Sequence, residues 1–275
     1  MNILTISSLN IPSLLPYRTL RRPEEHLKQN IFVAEGEKVV RRLLESELEV
    51  VSVLLTPEWL EIYKPILEKR KEFSLEIFLA EKKLLNEIVG FQLHQGIMAM
   101  ANVPQTFSLE ETARKFPSPF LFVALDGVAN AENMGVIVRN CSAFGVDGIL
   151  VGETSCSPYL RRAVRNSMGT IFKMRIIHSR NLASDLQFLS NNFQTAIIAA
   201  HPHKSSQNLQ GFTNLEKLNI CIVFGNEGTG ISQNILDICA EKIIIPMMNE
   251  TDSINVASAV AVILWEIRQR FGMVK

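Results

Sequence analysis

Two uninterrupted apolar runs, Cys221–Phe224 (CIVF) and Ile243–Pro246 (IIIP), constrain what this chain can fold into more than any other feature. A strand with one face in water alternates apolar and polar residues. A strand that is apolar throughout is covered on both faces. Such strands belong to a mostly parallel sheet with helices packed on each side, an α/β fold. The surrounding pattern agrees. Strands are predicted at Phe120–Leu125, Gly148–Val151, Lys173–Ile177, Thr195–Ala200, Asn219–Phe224 and Lys242–Ile245. Between most of them lie helical patterns at Gly135–Phe144, Pro158–Met168, Leu182–Asn191 and Ser232–Cys239, and a final helix is predicted from about Ser253 to Phe271.

The first hundred residues read differently. Glu37–Leu48 places Val40, Leu43, Leu44 and Leu48 on one helical face, Val50–Thr56 is β-branched and runs into Pro57, Pro57–Lys71 reads as helix and Leu75–Leu79 as strand. The composition changes at Asn102–Pro119, where Pro104, Pro117 and Pro119 restrict the backbone. This predicts a small α/β domain over 1–103, a linker over 104–119 with one short helix, and a larger domain over 120–275. Lys+Arg 28 balance Asp+Glu 28, which excludes a chain-wide basic field but not a local basic stripe. Cys141, Cys156, Cys221 and Cys239 form no C-x-x-C pair, so a reducing compartment fits and neither a zinc site nor a disulfide ladder is expected. With no secretion signal and no apolar run long enough for a bilayer, a cytoplasmic protein without a membrane partner is expected.

In a parallel sheet, ligands bind beyond the carboxyl ends of the strands. Three segments there carry polar residues. In Ala124–Gly145 a helix is predicted to begin near Asn133, with Gly135 leaving room for a close approach and Arg139 two turns along. In Asn219–Ser232, Gly225, Gly228 and Gly230 surround Glu227; this is neither a dinucleotide fingerprint nor a phosphate loop. In Ile243–Ile267, Asn249, Glu250, Thr251 and Asp252 precede Ser253 and Asn255, which are placed at the start of the last helix. Capping is the ordinary role for Ser253, whereas Asn255 inside a first turn is less ordinary.

Taken together and in order, N-x-G-x-x-x-R (Asn133, Gly135, Arg139), F-G-N-E-G-x-G (Phe224–Gly230) and I-P-M with S-I-N-V-A (Ile245–Met247, Ser253–Ala257) resemble the three motifs of the SpoU family of SPOUT RNA methyltransferases. Arg165–Phe172 (RNSMGTIF) is similar to a further stretch of that family. Ile31–Ser46 resembles the substrate-binding domain that precedes many members, akin to small RNA-binding ribosomal proteins. The resemblance implies a deep trefoil knot in the parallel sheet, S-adenosylmethionine bound within it, and a homodimer. It implies methyl transfer to a ribose 2′-hydroxyl, in ribosomal RNA rather than transfer RNA. The residue roles that follow are Gly225, Ile245, Met247 and Ile254 toward the cofactor, and Arg139, Asn133, Glu227, Ser253 and Asn255 as the polar catalytic set, with no metal. An arginine is a poor proton acceptor, so Arg139 is assigned to stabilising and orienting the reacting oxygen. Many members carry Gly where Asn249 stands, and Pro or another small residue where Ala131 stands.

RNA needs positive charge locally. Arg161, Arg162 and Arg165 lie in a stretch without acidic residues, and Arg18, Arg21 and Arg22 form a smaller cluster; both are expected to meet RNA. The alternatives are a transfer-RNA methyltransferase and an RNA-binding or ribosome-assembly protein without catalysis. Retention of all five polar motif positions counts against the latter. The lack of an early glycine fingerprint argues against a Rossmann-type enzyme.

Overall fold

The computed structural model describes residues 2–8, 11–70, 72, 75–90, 92, 95–201, 207–208 and 219–271. The chain forms two compact units, one of Met1–Gln105 with Tyr159–Lys173, the other of Thr106–Pro158 with Met174–Lys275.

The first unit contains β1 (Asn2–Thr5), α1 (Leu15–Arg18), α2 (Pro23–Lys28), β2 (Ile31–Glu35), α3 (Glu37–Leu44), β3 (Val50–Leu55), α4 (Pro57–Leu67), β4 (Glu76–Leu79), α5 (Lys82–Val89) and β5 (Ile97–Asn102). Its sheet has the order β1-β4-β3-β5-β2, with β1, β4 and β3 parallel and β5 antiparallel to both neighbours. One face packs Leu54, Phe78, Met98 and Met100 against Tyr17 of α1 and Leu85 and Ile88 of α5. The Tyr17 hydroxyl bonds Ser52, donating to its carbonyl at 3.1 Å. Helix α3 buries Val39, Val40, Leu43 and Leu44. It ends before the predicted Leu48 because the Ser46 hydroxyl takes the Leu43 carbonyl at 2.7 Å and turns the chain. The predicted helix over Pro57–Lys71 likewise ends early, at Leu67; Lys71 lies outside the described residues. The segment Tyr159–Lys173 belongs to this unit because Phe32 of β2 packs between Tyr159 and Phe172, at ring distances of 5.5 and 5.7 Å. That segment carries α8 (Arg161–Asn166).

The second unit holds α6 (Leu109–Lys115), β6 (Leu121–Asp126), α7 (Ala131–Ala143), β7 (Gly148–Val151), β8 (Ile176–His178), α9 (Leu182–Phe193), β9 (Ala196–Ala200), β10 (Gln207–Asn208), β11 (Ile220–Gly225), α10 (Gln233–Leu236), β12 (Glu241–Ile244) and α11 (Val256–Phe271). Its sheet, in the order β10-β12-β9-β11-β6-β7-β8, is parallel at every described pairing. Alternate residues face opposite ways. Phe122, Ala124, Leu150, Ile197, Cys221 and Val223 pack with α6, α9 and α10. Leu121, Val123, Ile149, Ile198, Ile220 and Ile222 are equally buried on the other face, where α7 and α11 lie. This double burial is why CIVF carries no polar position. Strand β8 begins three residues later than predicted because Thr170–Lys173 winds into a 3₁₀ turn.

Two helix starts differ from expectation. Helix α7 begins at Ala131, not Asn133: the Asn130 side chain caps it, accepting from the N–H groups of Glu132 and Asn133 at 2.8 and 3.1 Å. Ala131 is therefore the first helical residue, a position that suits proline. Helix α11 begins at Val256, not Ser253. The cap is Asn255, whose Oδ1 accepts from the Ala257 N–H at 2.9 Å, and Ser253 lies in the preceding loop.

Candidate active site

The carboxyl end of β11 runs into a tight turn, Gly225–Gly230. Asn226 and Gly230 exchange backbone hydrogen bonds of 2.9 and 3.0 Å across it. The Asn226 side chain holds the turn from within, accepting from the N–H groups of Gly228 and Thr229 at 2.8 and 3.0 Å. Its amide also donates to the Gly127 carbonyl beyond β6 at 2.7 Å. Asp126 fixes the exit of the loop by accepting from the Ser232 N–H and hydroxyl, each at 2.7 Å. Sequence reasoning gave Asn226, Asp126 and Ser232 no part in the site; Asn226 lies inside the glycine motif, the signal that pointed to it.

This turn and the segment after β12 line one cleft of about 460 Å³. Gly225, Ile245, Met247 and Ile254 line it, as do Glu227, Ser253 and Asn255. Sequence reasoning missed its further apolar wall, Phe224, Ile231 and Ile263. Gly225 is required by closeness. A Cβ there would stand 2.3 Å from the Gly230 carbonyl carbon and 2.4 Å from the Ile231 nitrogen. Asn249 and Glu250, on the loop between β12 and α11, both have positive φ, 55° and 56°. A left-handed backbone at Asn249 suits glycine, and asparagine tolerates that region better than most residues.

The polar residues form a directed chain. The Asn133 amide donates to Glu227 Oε1 at 2.9 Å, and the Asn255 amide donates to Asn133 Oδ1 at 2.9 Å. The Asn255 oxygen is in turn held by the Ala257 N–H. An ionised carboxylate only accepts and a backbone N–H only donates, so both ends fix the orientation of both amides. Burial raises the Glu227 pKa, but the Asn133 amide, its own N–H and those of Ala129 and Asn130 outweigh this and hold it below the usual carboxylate range. Asn255 thus joins the helix start to the site, which answers why an asparagine stands there. Cys156 is pushed up to about 11 by burial and by the Glu227 charge, so it is a protonated thiol at neutral pH.

Arg139 is not brought into this cleft. It is exposed, does not line the cavity, and makes no hydrogen bond to a described residue. At about 100° per residue it stands about 120° around α7 from Asn133, whereas Asn140 returns to within about 20°. Asn140 accordingly donates to the Ala257 carbonyl at 2.8 Å. In the first unit the basic residues divide. Arg161 is paired with Glu35, a carboxylate only 8% exposed, and Arg165 meets the same group at 3.4 Å. Arg162, Arg18, Arg21 and Arg22 are exposed, with Arg22 donating to Glu25 at 3.1 Å. Among the described residues no group of three or more His, Cys, Asp or Glu comes together to hold a metal, and no helix is long and apolar enough to cross a membrane.

Residues 120–265, more than half of the chain, match the SpoU rRNA Methylase family. The chain belongs to this family. In this SpoU family member, residues 33–107 also match the RNA 2′-O ribose methyltransferase substrate-binding domain. The chain is 29% identical over 267 residues to an uncharacterized tRNA/rRNA methyltransferase of Mycobacterium tuberculosis, covering 95% of this chain and 90% of the relative. It is 22% identical to the 23S rRNA (guanosine(2553)-2′-O)-methyltransferase RlmP of Bacillus subtilis, covering 96% and 98%. Among solved structures it is similar to the AdoMet-bound rRNA methyltransferase of Sinorhizobium meliloti, with a TM-score of 0.83, 21% identity and 98% of each chain covered. It is also similar to the SpoU methyltransferase AviRb of Streptomyces viridochromogenes, with a TM-score of 0.80, 19% identity and 95% and 100% covered. These likenesses establish the fold of both units.

Proposed function

We propose that this chain transfers a methyl group from S-adenosylmethionine to a ribose 2′-hydroxyl of ribosomal RNA. The single observation that carries the reading is the directed chain Glu227–Asn133–Asn255 at the rim of a glycine-walled cleft. The cleft fits the cofactor on its own features: a volume within the range of small-molecule sites, about 300–1,000 Å³, an apolar wall for an adenosine, and a turn where backbone rather than side chain meets the ligand. Gly225, Ile245, Met247 and Ile254 would hold it, and when bound it supplies an activated methyl group. The chain's own task is the weakly acidic hydroxyl. A group must orient that oxygen and stabilise the charge it develops. Arg139 is the residue for this role, as an electrostatic partner rather than a proton acceptor. Glu227, Asn133 and Asn255 position the two segments that flank the reacting atoms, and Ser253 lies on the cofactor side.

Arg139 faces away from its own cleft, and α11 exposes Val262 and Trp265, which are 44% and 54% accessible. Both features support a homodimer in which Arg139 serves the partner's cleft, and the family resemblance supports a knotted thread in the sheet. Ribosomal RNA is favoured because relatives such as RlmP and the RlmB of Acinetobacter baylyi bear names that place their reaction on 23S rRNA. Arg162, Arg18 and Arg21 are the exposed cations proposed to meet RNA, and the Arg161–Glu35 pair holds the helix that carries Arg162. The test is to map ribose methylation across total RNA with and without the gene, and to titrate the protein with S-adenosylmethionine by calorimetry. One lost 2′-O-methyl site in ribosomal RNA and a saturable heat are expected. A lost site in transfer RNA refutes the choice of RNA, and absence of cofactor binding refutes the enzyme.

A further inference from the structure

The first unit has a cleft of its own, about 440 Å³, at the carboxyl ends of the parallel strands β3 and β4, where α4 and α5 begin. Thr56 follows β3 directly and occupies the cap position of α4, yet its side chain does not cap the helix. It is only 6% exposed, and its Oγ1 is buried with no hydrogen-bond partner. A threonine at this position normally turns its hydroxyl to the first-turn N–H groups. Here those groups and the hydroxyl are both left unbonded by side chains. Glu81, the cap position of α5, likewise makes no side-chain cap bond. Buried polar groups that stay unsatisfied in the free protein call for an explanation, and a ligand that supplies the partner is one.

The rest of the lining specifies that ligand. Trp59 stands half-buried on the wall, braced edge-on by Tyr63 at 5.8 Å. Gln95 spends its oxygen on the Glu37 N–H at 2.7 Å, which turns its two amide hydrogens elsewhere. Lys82 is exposed on the rim with no pairing among the described residues, and Glu58 and Glu81 are exposed carboxylates beside it. Gly96 closes the floor at φ +63°, where a Cβ would meet the Thr56 methyl at 3.1 Å. Two carboxylates disfavour a free anion. An idle hydroxyl and amide disfavour an apolar ligand. A flat aromatic wall, acceptors and donors for ring edges, and one ammonium for a phosphate together suit a single nucleotide.

We infer that this cleft takes one unstacked base of the RNA substrate, stacked on Trp59 with its edge toward Gln95, Glu58 and Thr56 and its phosphate toward Lys82. The inference rests on RNA being the substrate, but not on methyl transfer. Trp59 and Trp265 are the two tryptophans of the chain, so full-length protein carrying Trp265→Phe reports on Trp59 alone. Titration with hexaadenylate is expected to quench that emission saturably. In the otherwise native chain, Trp59→Ala is expected to weaken binding of labelled hexaadenylate about tenfold, and Trp59→Phe to recover most of it. Thr56→Val, equal in shape without the hydroxyl, weakens it roughly fivefold. The phenylalanine and valine variants carry the test if the alanine variant lowers Tm. On RNA substrate, Trp59→Ala raises KM while the Kd for S-adenosylmethionine stays unchanged. No quench, or unaltered hexaadenylate affinity in Trp59→Ala, overturns the site. A chain that shows the quench but transfers no methyl group keeps this site and loses the reaction; normal KM in Trp59→Ala keeps the reaction and loses the site.

Discussion

Replacing Gly225 by alanine tests the cleft where its geometry is tightest. The added methyl would lie 2.3 Å from the Gly230 carbonyl carbon, 2.4 Å from the Ile231 nitrogen and 2.5 Å from the Gly230 oxygen. All three are backbone atoms, so no side chain can swing aside. The far limb of the turn must move by about 1 Å to reach ordinary contact, which breaks the paired bonds between Asn226 and Gly230 and destabilises the fold by about 1–3 kcal/mol. The same limb lines the cleft, so affinity for S-adenosylmethionine should fall at least tenfold, roughly 1.4 kcal/mol. Two neighbours grade the result. Gly230 has φ +72° with nothing near its missing Cβ, so Gly230→Ala carries only the left-handed penalty of about 1–2 kcal/mol. Gly228 has its nearest atom at 3.5 Å, and Gly228→Ala should change stability by less than about 0.5 kcal/mol. Denaturant unfolding and cofactor calorimetry on the three variants give the assay. Gly225→Ala with native affinity, or Gly228→Ala as damaging as Gly225→Ala, would refute the reasoning.

Arg139→Ala should abolish methyl transfer and leave the Kd for S-adenosylmethionine unchanged, measured by tritium incorporation and calorimetry; native turnover would remove Arg139 from the chemistry. Asn255→Asp should keep the cap of α11, and with it Tm, but lose the donor to Asn133, so that kcat falls; Asn255→Ala should lose about 1 kcal/mol of stability as well, read by urea unfolding. Glu227 has its folded pKa below the unfolded value, so its stabilising contribution is present above the ordinary carboxylate range and lost as pH falls through the folded value. The stability gap between native protein and Glu227→Gln should therefore be present at neutral pH and close as unfolding is repeated at progressively acidic pH; a gap that widens would reverse the sign. Glu35→Ala should destabilise the first unit on the order of 3 kcal/mol by leaving the Arg161 guanidinium without its carboxylate, checked by the shift in the urea midpoint.

The parallel sheet was legible because burial on both faces erases polar positions, as in CIVF; IIIP shows the same pattern for another reason, since it is only partly buried and Ile243, Ile244 and Ile245 line the open cleft. The glycine turn and the Ile-Pro-Met segment were legible as strand-end loops, and they do share one cleft. The helix starts were less so. Asn130 and Asn133 are equally good caps by residue type, and only the backbone path decides between them. Ser253 and Asn255 are likewise comparable caps by residue type; Asn255 takes the position, and its amide also reaches Asn133. Strands β1 and β5 escaped notice because β1 is exposed along its whole length and so shows no burial pattern, and β5 is built largely of Met and Ala, which carry little strand preference; β2 was missed as well. A run of arginines does not reveal that one of them is spent on a nearly buried glutamate 126 residues earlier.

The docking of Tyr159–Lys173 into the first unit means that this body is not a contiguous stretch of sequence. A fragment cut after Gln105 would bare the Phe32 ring and strand the Glu35 carboxylate at an apolar surface. Moving this unit onto another protein therefore means grafting two pieces, not one.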